Sequence, residues 1–195
     1  ENPTHTYLAN GTYTVSLTTT NAFGSDSETK ANYIIVNVSG ATPIAAACIP
    51  NTTDGSLGLG ITNVTFNTLN INSGSSIEGY TDFTCSQTTV FAGQSYNISI
   101  DHASPTTHNC AAWIDYNNDG TFNPATELIV SSSSSLGTSG SVLIPSNAAL
   151  NTPLRMRVIA DYDLNADPTP CDNPGYGQAE DYTIIVEQDV SPPII

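Results

Sequence analysis

Apolar residues in this chain recur at every second position far more often than at helical spacing. Tyr13-Thr14-Val15-Ser16-Leu17, Tyr96-Asn97-Ile98-Ser99-Ile100 and Leu154-Arg155-Met156-Arg157-Val158 each alternate apolar with polar, the period of a half-buried strand. Short apolar runs at 33–38, 142–144 and 182–186 extend the set. Turn formers separate them: Asn10-Gly11, Asn21-Ala22-Phe23-Gly24, Ser73-Gly74, Ala92-Gly93 and the serine run 131–135. Many short strands punctuated in this way predict an all-β protein built as a β-sandwich.

The pattern breaks at Gly40. Before it lies a block without cysteine; after it come all four cysteines and the densest acidic loop. We read residues 1–39 as one unit, 40–47 as a linker and 48–187 as a second sandwich. Residues 188–195 lose the strand pattern and carry Pro192-Pro193, which suits a linker into a following domain. A chain of 195 residues can bury one or two cores of this kind.

Charge narrows the functional classes. Eighteen acids face only Lys30, Arg155 and Arg157, a formal net charge of -15. A nucleic-acid partner is excluded, since nothing here neutralises a run of phosphates, and anionic membrane surfaces are disfavoured. No apolar run is long enough for a membrane-spanning helix. Cys48, Cys85, Cys110 and Cys171 are far apart and form no C-x-x-C pair, which predicts two disulfides in an oxidising, extracellular compartment. Spacing alone leaves all three connectivities open. The sequons at Asn10, Asn37, Asn51, Asn63 and Asn97 follow from the composition and say nothing decisive about glycosylation.

One loop has the spacing of a calcium site. Asp115, Asn117 and Asp119 alternate, Gly120 follows and Glu127 stands a little further on. Alternate oxygens point inward, the glycine permits the sharp turn, and the Thr121 carbonyl joins from the backbone. The predicted metal ligands are therefore Asp115, Asn117, Asp119, Thr121 and Glu127, and the predicted cofactor is Ca2+. The glutamate falls one place later than in an EF-hand, and apolar residues lead in, so the loop is expected between two strands. The competing reading is an Asn/Asp/Gly turn that holds no metal. A second acidic string, Asp161, Asp163, Asn165 and Asp167, lacks the glycine and runs into Pro168 and Pro170; a solvated loop describes it better than a second metal site.

Arg155 and Arg157 are two apart and share a face of their strand, whereas the neighbours Glu180 and Asp181 point to opposite faces. One acid can therefore meet the arginines, and Arg157 with Asp181 is the expected structural ion pair, the guanidinium fork matching a carboxylate. Left solvated, such a pair contributes only about 0–1 kcal/mol. No catalytic set can be assembled. His5, His102 and His108 lack H-E-x-x-H spacing, and no G-x-S-x-G elbow occurs. Tyr80, Phe83, Tyr162 and Tyr176 are the aromatics that could line a lectin-like site.

Two families are brought in by motif. Asn2-Pro3-Thr4-His5-Thr6-Tyr7, Gly11-Thr12-Tyr13-Thr14-Val15-Ser16-Leu17-Thr18 and Asn21-Ala22-Phe23-Gly24-Ser25-Asp26 resemble the C-terminal half of a PKD domain, an immunoglobulin-like sandwich. Residues 48–186 resemble the GEVED domain of large secreted bacterial proteins. The carrying features are Cys48, Gly79-Tyr80-Thr81-Asp82-Phe83, Ala92-Gly93-Gln94-Ser95-Tyr96, the Trp113 to Gly120 loop, the arginine strand, Cys171 and Tyr176-Gly177-Gln178-Ala179-Glu180-Asp181-Tyr182. Gln178 and Ala179 replace the usual glutamate and valine of the naming motif. The resemblance implies a jelly-roll-like β-sandwich preceded by a partial immunoglobulin-like one, secretion to the cell surface, and no catalytic activity. It also implies a Cys48–Cys171 bridge, which leaves Cys85 with Cys110. The expected function is a calcium-stabilised structural or adhesive module of a secreted surface protein or fibre; the alternative is a glycan-binding accessory domain of a secreted hydrolase or peptidase. Expected partners are neighbouring domains, further copies joined head to tail, or surface glycans. Half a sandwich is also expected to leave the Tyr13, Val15 and Leu17 face uncovered.

Overall fold

The computed structural model describes residues 11–36, 42–51, 57–74, 79–164 and 166–189. Readings placed on residues 1–10, 37–41 and 190–195, and on Asn165, lie outside the described residues; His5, Asn10 and Asn37 are among them. The chain divides into two compact units, residues 1–40 and 41–195. In the first, β1 (Gly11–Asn21) and β2 (Gly24–Val36) form an antiparallel hairpin. Asn21 Oδ1 accepts the Phe23 N–H within its turn. Leu17 and Tyr33 are exposed along the hairpin.

The second unit is all strand. It comprises β3 (Ile61–Phe66), β4 (Leu69–Asn72), β5 (Tyr80–Phe91), β6 (Ser95–His102), β7 (His108–Ile114), β8 (Leu128–Ser135), β9 (Gly137–Leu143), β10 (Pro153–Tyr162) and β11 (Gln178–Glu187). One sheet has the order β5-β11-β10-β7-β8 and the other β4-β3-β6-β9. Every pairing is antiparallel except that of β5 with β11. The two sheets form a β-sandwich around one apolar cluster. Val64 and Phe66 enter it from β3, Ile98 and Ile100 from β6, Leu154, Met156 and Val158 from β10, and Tyr182, Ile184 and Val186 from β11. Strand alternation supplies these inward positions.

Alternation does not make the other face of the large sheet wet. Residues 154–161 of β10 are buried without a break, as is all of β7. Their outward side chains form a second apolar cluster in which Trp113, Ile159, Ala111 and Ala179 meet Phe122 from the loop after β7. Strands buried on both faces read as continuous apolar runs, which is how Ala111-Ala112-Trp113-Ile114 and Val158-Ile159-Ala160 stand in the sequence. The cover comes from residues 44–48, the loop 115–127 and the segment around Pro170. Two glycines let it sit close. A Cβ on Gly177 would lie 1.9 Å from the Ala160 carbonyl oxygen, and one on Gly120 (φ +83°) 2.7 Å from that of Ala45. The Gly120 carbonyl in turn accepts the Ala47 N–H at 2.7 Å.

Two expectations change here. Residues 44–47, read as linker, fall in the second unit: the Ala47 N–H donates to the Gly120 carbonyl of the acidic loop, and the Ile44 carbonyl accepts Arg155 Nη2 from the large sheet. The Cys85–Cys110 bridge is not formed: Cys85 is free and exposed, and Cys110 is free and buried. Cys85 lies on edge strand β5, three strand spacings from β7. That is about 14 Å at the usual interstrand distance, and a disulfide needs Cα atoms about 4.4–6.8 Å apart. The Cys48–Cys171 bridge is present, with its Cα atoms 5.7 Å apart.

Candidate functional site

The charged centre of the molecule grows out of strand register. Arg157 on β10 stands opposite Asp181 on β11 and opposite Trp113 on β7. All three point to the outer face of the large sheet. Arg157 is fully buried, and so is Asp181. Arg157 Nε donates to Asp181 Oδ1 at 2.7 Å and Nη2 to Oδ2 at 2.7 Å, a bidentate pair. Its Nη1 donates to the carbonyls of Cys48 and Pro170, each at 3.0 Å. Arg155 Nη1 donates to Asp181 Oδ2 at 2.9 Å and Nη2 to the Ile44 carbonyl at 3.2 Å. Tyr80 completes the set, its hydroxyl donating to Asp181 Oδ2 at 3.0 Å. Burial and then the Asp181 charge push the Tyr80 phenol up. The Phe122 ring lies 5.0 Å from the Arg157 guanidinium carbon, close enough for a cation–π contact.

Arg157 and Asp181 are sealed from solvent, Arg155 keeps 11% of its side chain exposed and Tyr80 is half-buried. The arrangement ties two strands of the sheet to three points of the cover, and the Cys48–Cys171 bridge lies beside two of those points. The sequence pointed to Arg157 and Asp181. Arg155 as a second partner followed from the same shared face. Tyr80, Phe122 and the three carbonyls did not show, because a backbone carbonyl carries no residue signature.

The acidic loop lies next to the cover. Asp115, 1% exposed, accepts the Asp119 N–H at 3.1 Å on Oδ1 and the Gly120 N–H at 2.8 Å on Oδ2. Glu127, 3% exposed, accepts the Tyr116 N–H at 3.1 Å and the Asn123 N–H at 2.7 Å. Burial raises both carboxyl pKa values, and the Asp115 charge raises that of Glu127 further. Asp119 is exposed instead. Its Oδ1 takes the Thr121 hydroxyl and N–H, its Oδ2 takes the Asn117 amide, and the Thr121 bonds hold its pKa below the usual carboxylate range. Of the predicted ligands, the structure brings Asp115 and Glu127 together in the loop interior and leaves the Asp119 carboxylate on its outer side. Among the described residues, no three His, Cys, Asp or Glu side chains are grouped as a metal site.

The inner face of the same sheet carries a second polar group at one end of the core. Glu180 is fully buried and accepts the Tyr182 hydroxyl. Burial pushes its carboxyl up to about 7. Cys110 is pushed up to about 12, again by burial. The His102 and His108 rings meet edge to face at 5.2 Å, and burial lowers both their pKa values.

Residues 109–185 match the family model of the GEVED domain. Residues 1–36 match that of the PKD domain. No curated protein and no solved structure matches the chain. Both families are known as extracellular structural, adhesive or accessory modules that are typically non-catalytic. Among the described residues no helix is long and apolar enough to cross a membrane. The GEVED match holds the acidic loop, both arginines, Cys171 and the naming motif, whose parts now have physical roles. Gly177 permits contact with β10, Ala179 fits beneath Tyr80 and Ile159, Glu180 enters the core, and Asp181 holds the arginines.

Two outcomes test this account. Asp181→Asn leaves two buried guanidinium groups without a counter-charge, and urea unfolding should show a loss of about 3–5 kcal/mol; a loss no larger than that of Arg155→Met contradicts the clamp. The folded-state pKa of Glu180 lies above its ordinary value, so its contribution is fully present below about pH 4.5 and is lost as pH rises through about 7. Glu180→Gln should therefore flatten the decline in stability across that window, read from melting temperatures at stepped pH.

Proposed function

We propose that this chain is a calcium-stabilised structural and adhesive module of a large secreted bacterial surface protein or extracellular fibre. The observation that carries the reading is the buried clamp. Both arginines and Asp181 lie at one buried point, where they join sheet to cover instead of meeting a substrate.

Calcium is the finer part of the proposal. Asp115 and Glu127 are buried carboxylates that feel each other's charge within a loop of calcium-type spacing. A hard cation accepted there would relieve that repulsion, with Asn117, the Thr121 carbonyl and Asp119, its carboxylate released from Thr121 and turned inward, as the remaining ligands. Calcium should raise the melting temperature by several degrees relative to chelator, and Asp115→Asn should remove that increase. Identical curves in calcium and in chelator sink the calcium site.

Partners are proposed from the first unit. A two-stranded hairpin is marginal by itself, and the side chains of Val15, Leu17, Glu28, Lys30 and Tyr33 outline an open cavity on it. Neighbouring domains or further copies of the chain would complete its sandwich by adding strands. The purified chain should then oligomerise with rising concentration in light scattering or be cut by protease within residues 11–36. A monomer protected throughout that segment defeats this part.

A second reading, a glycan-binding accessory domain of a secreted hydrolase or peptidase, is favoured by one observation. Tyr176 is 39% exposed and meets the half-buried Tyr162 edge to face.

A further inference from the structure

We propose that Thr81 and Gln178 are the partners of an intramolecular ester that joins edge strand β5 to β11. The Thr81 hydroxyl accepts the Gln178 amide N–H at 3.4 Å, from 97 positions away in the chain. Strand pairing brings them together. β5 and β11 run parallel, with Thr81 directly across from Glu180, and Gln178 stands two residues before Glu180 on the same face. Hydroxyl, carboxamide and carboxyl therefore share one end of the inner face of the large sheet.

Their surroundings suit acyl transfer. Gln178 and Glu180 are fully buried and Thr81 is half-buried, so bulk water competes poorly for the amide carbon. Gly60 packs against Gln178 from the other side: a Cβ on Gly60 would stand 2.8 Å from the Gln178 Cβ and 3.0 Å from its Oε1. Two buried oxygens at this point lack a hydrogen-bond partner, Gln178 Oε1 and Glu180 Oε1. Both are acceptors while Glu180 is ionised, and a proton on Glu180 turns one of them into a donor for the other. Burial raises the Glu180 carboxyl to about 7, so both of its forms exist near neutral pH. Tyr182 donates to Glu180 Oε2. The nearby Ser73 hydroxyl, which lowers the Glu180 pKa, donates to the Ile61 carbonyl at 3.1 Å.

The step uses only these three side chains. Protonated Glu180 polarises the Gln178 carbonyl. Thr81 Oγ1 attacks Gln178 Cδ and forms the C–O bond, while the hydroxyl proton passes through the Glu180 carboxyl to the amide nitrogen. The Cδ–N bond breaks and ammonia leaves. One hydroxyl and one carboxamide thus give one ester and one ammonia, with no oxidant or reductant. Holding both groups on paired strands replaces a chance encounter by a local step. The glutamine at 178 matters here, because a carboxylate in its place would resist attack by a hydroxyl.

Intact-mass spectrometry of the folded, reduced full chain tests the bond. Its mass should fall about 17 Da below that of the sequence, one ammonia lost for one ester formed. Digestion should release one branched peptide holding Thr81 and Gln178, and alkaline hydroxylamine should split it. Thr81→Val and Glu180→Gln should each show the full mass of their own sequences. The proposal is overturned if the folded parent chain has its full sequence mass, if the lost ammonia maps to an Asn-Gly step such as Asn10-Gly11, or if Thr81→Val loses it too. A Glu180→Gln chain that still carries the branch overturns the role of Glu180. Where a variant fails to fold, the mass and branched peptide of the parent chain decide by themselves.

Discussion

One carboxylate between two guanidinium groups organises the outer half of this protein. Taking Arg155, Arg157 and Asp181 out of water costs several kcal/mol per ion, recovered only where geometry is good and the remaining hydrogens find acceptors. Strand register supplies the geometry, since Arg157 and Asp181 are direct cross-strand neighbours. The acceptors have to come from elsewhere, and they are the carbonyls of Ile44, Cys48 and Pro170. Clamp and cover therefore depend on one another. Without the cover the arginines would be ordinary surface charges; without the arginines the buried Pro170 carbonyl would lose its donor, at a cost of about 1–3 kcal/mol, and the part-buried Ile44 and Cys48 carbonyls would lose theirs. The disulfide fits the same logic, because it joins the residue carrying one of these carbonyls to the residue following another.

Glu180 and Asp181 show how strand parity divides electrostatics. Adjacent in sequence, they face opposite sides of one sheet. Asp181 meets both arginines and the Tyr80 hydroxyl. Glu180 enters an apolar core, meets the Tyr182 hydroxyl and is pushed toward neutrality. The His102 and His108 pair, in the same sandwich, is pushed the other way. Their contribution is present above the ordinary histidine pKa and fades as pH falls through their lowered values, whereas that of Glu180 fades as pH rises. Where the windows overlap, the two slopes oppose each other.

What the sequence made legible follows from periodicity. Alternation in 96–100 and 154–158 located strands and faces, and parity showed that one of Glu180 and Asp181 meets the arginine pair without fixing which. The cover was not readable, because residues 44–48 have no strand pattern and act through backbone atoms. Cys85 with Cys110 failed for a related reason. Pairing depends on strand order, and nothing local shows that β5 joins the sheet beside β11 instead of β7. In the acidic loop the spacing was legible but the rotamers were not: Thr121, two residues on, takes the Asp119 carboxylate for a local turn.

The departure from the naming motif at Gln178 has a reason in this packing. Gln178 is fully buried on the same face as Glu180, and its Cβ lies 2.8 Å from where a Gly60 Cβ would stand. Its amide nitrogen reaches the Thr81 hydroxyl at 3.4 Å. A glutamate here would put a second carboxylate two residues from Glu180 on a face with no cation among the described residues. Like charges so placed raise each other's pKa and deepen the desolvation cost. Glutamine keeps the length and shape of the side chain and removes the charge. In a chain of net charge -15, whose arginines both serve the opposite face, the neutral residue lets the motif close without a cation that the inner face does not have.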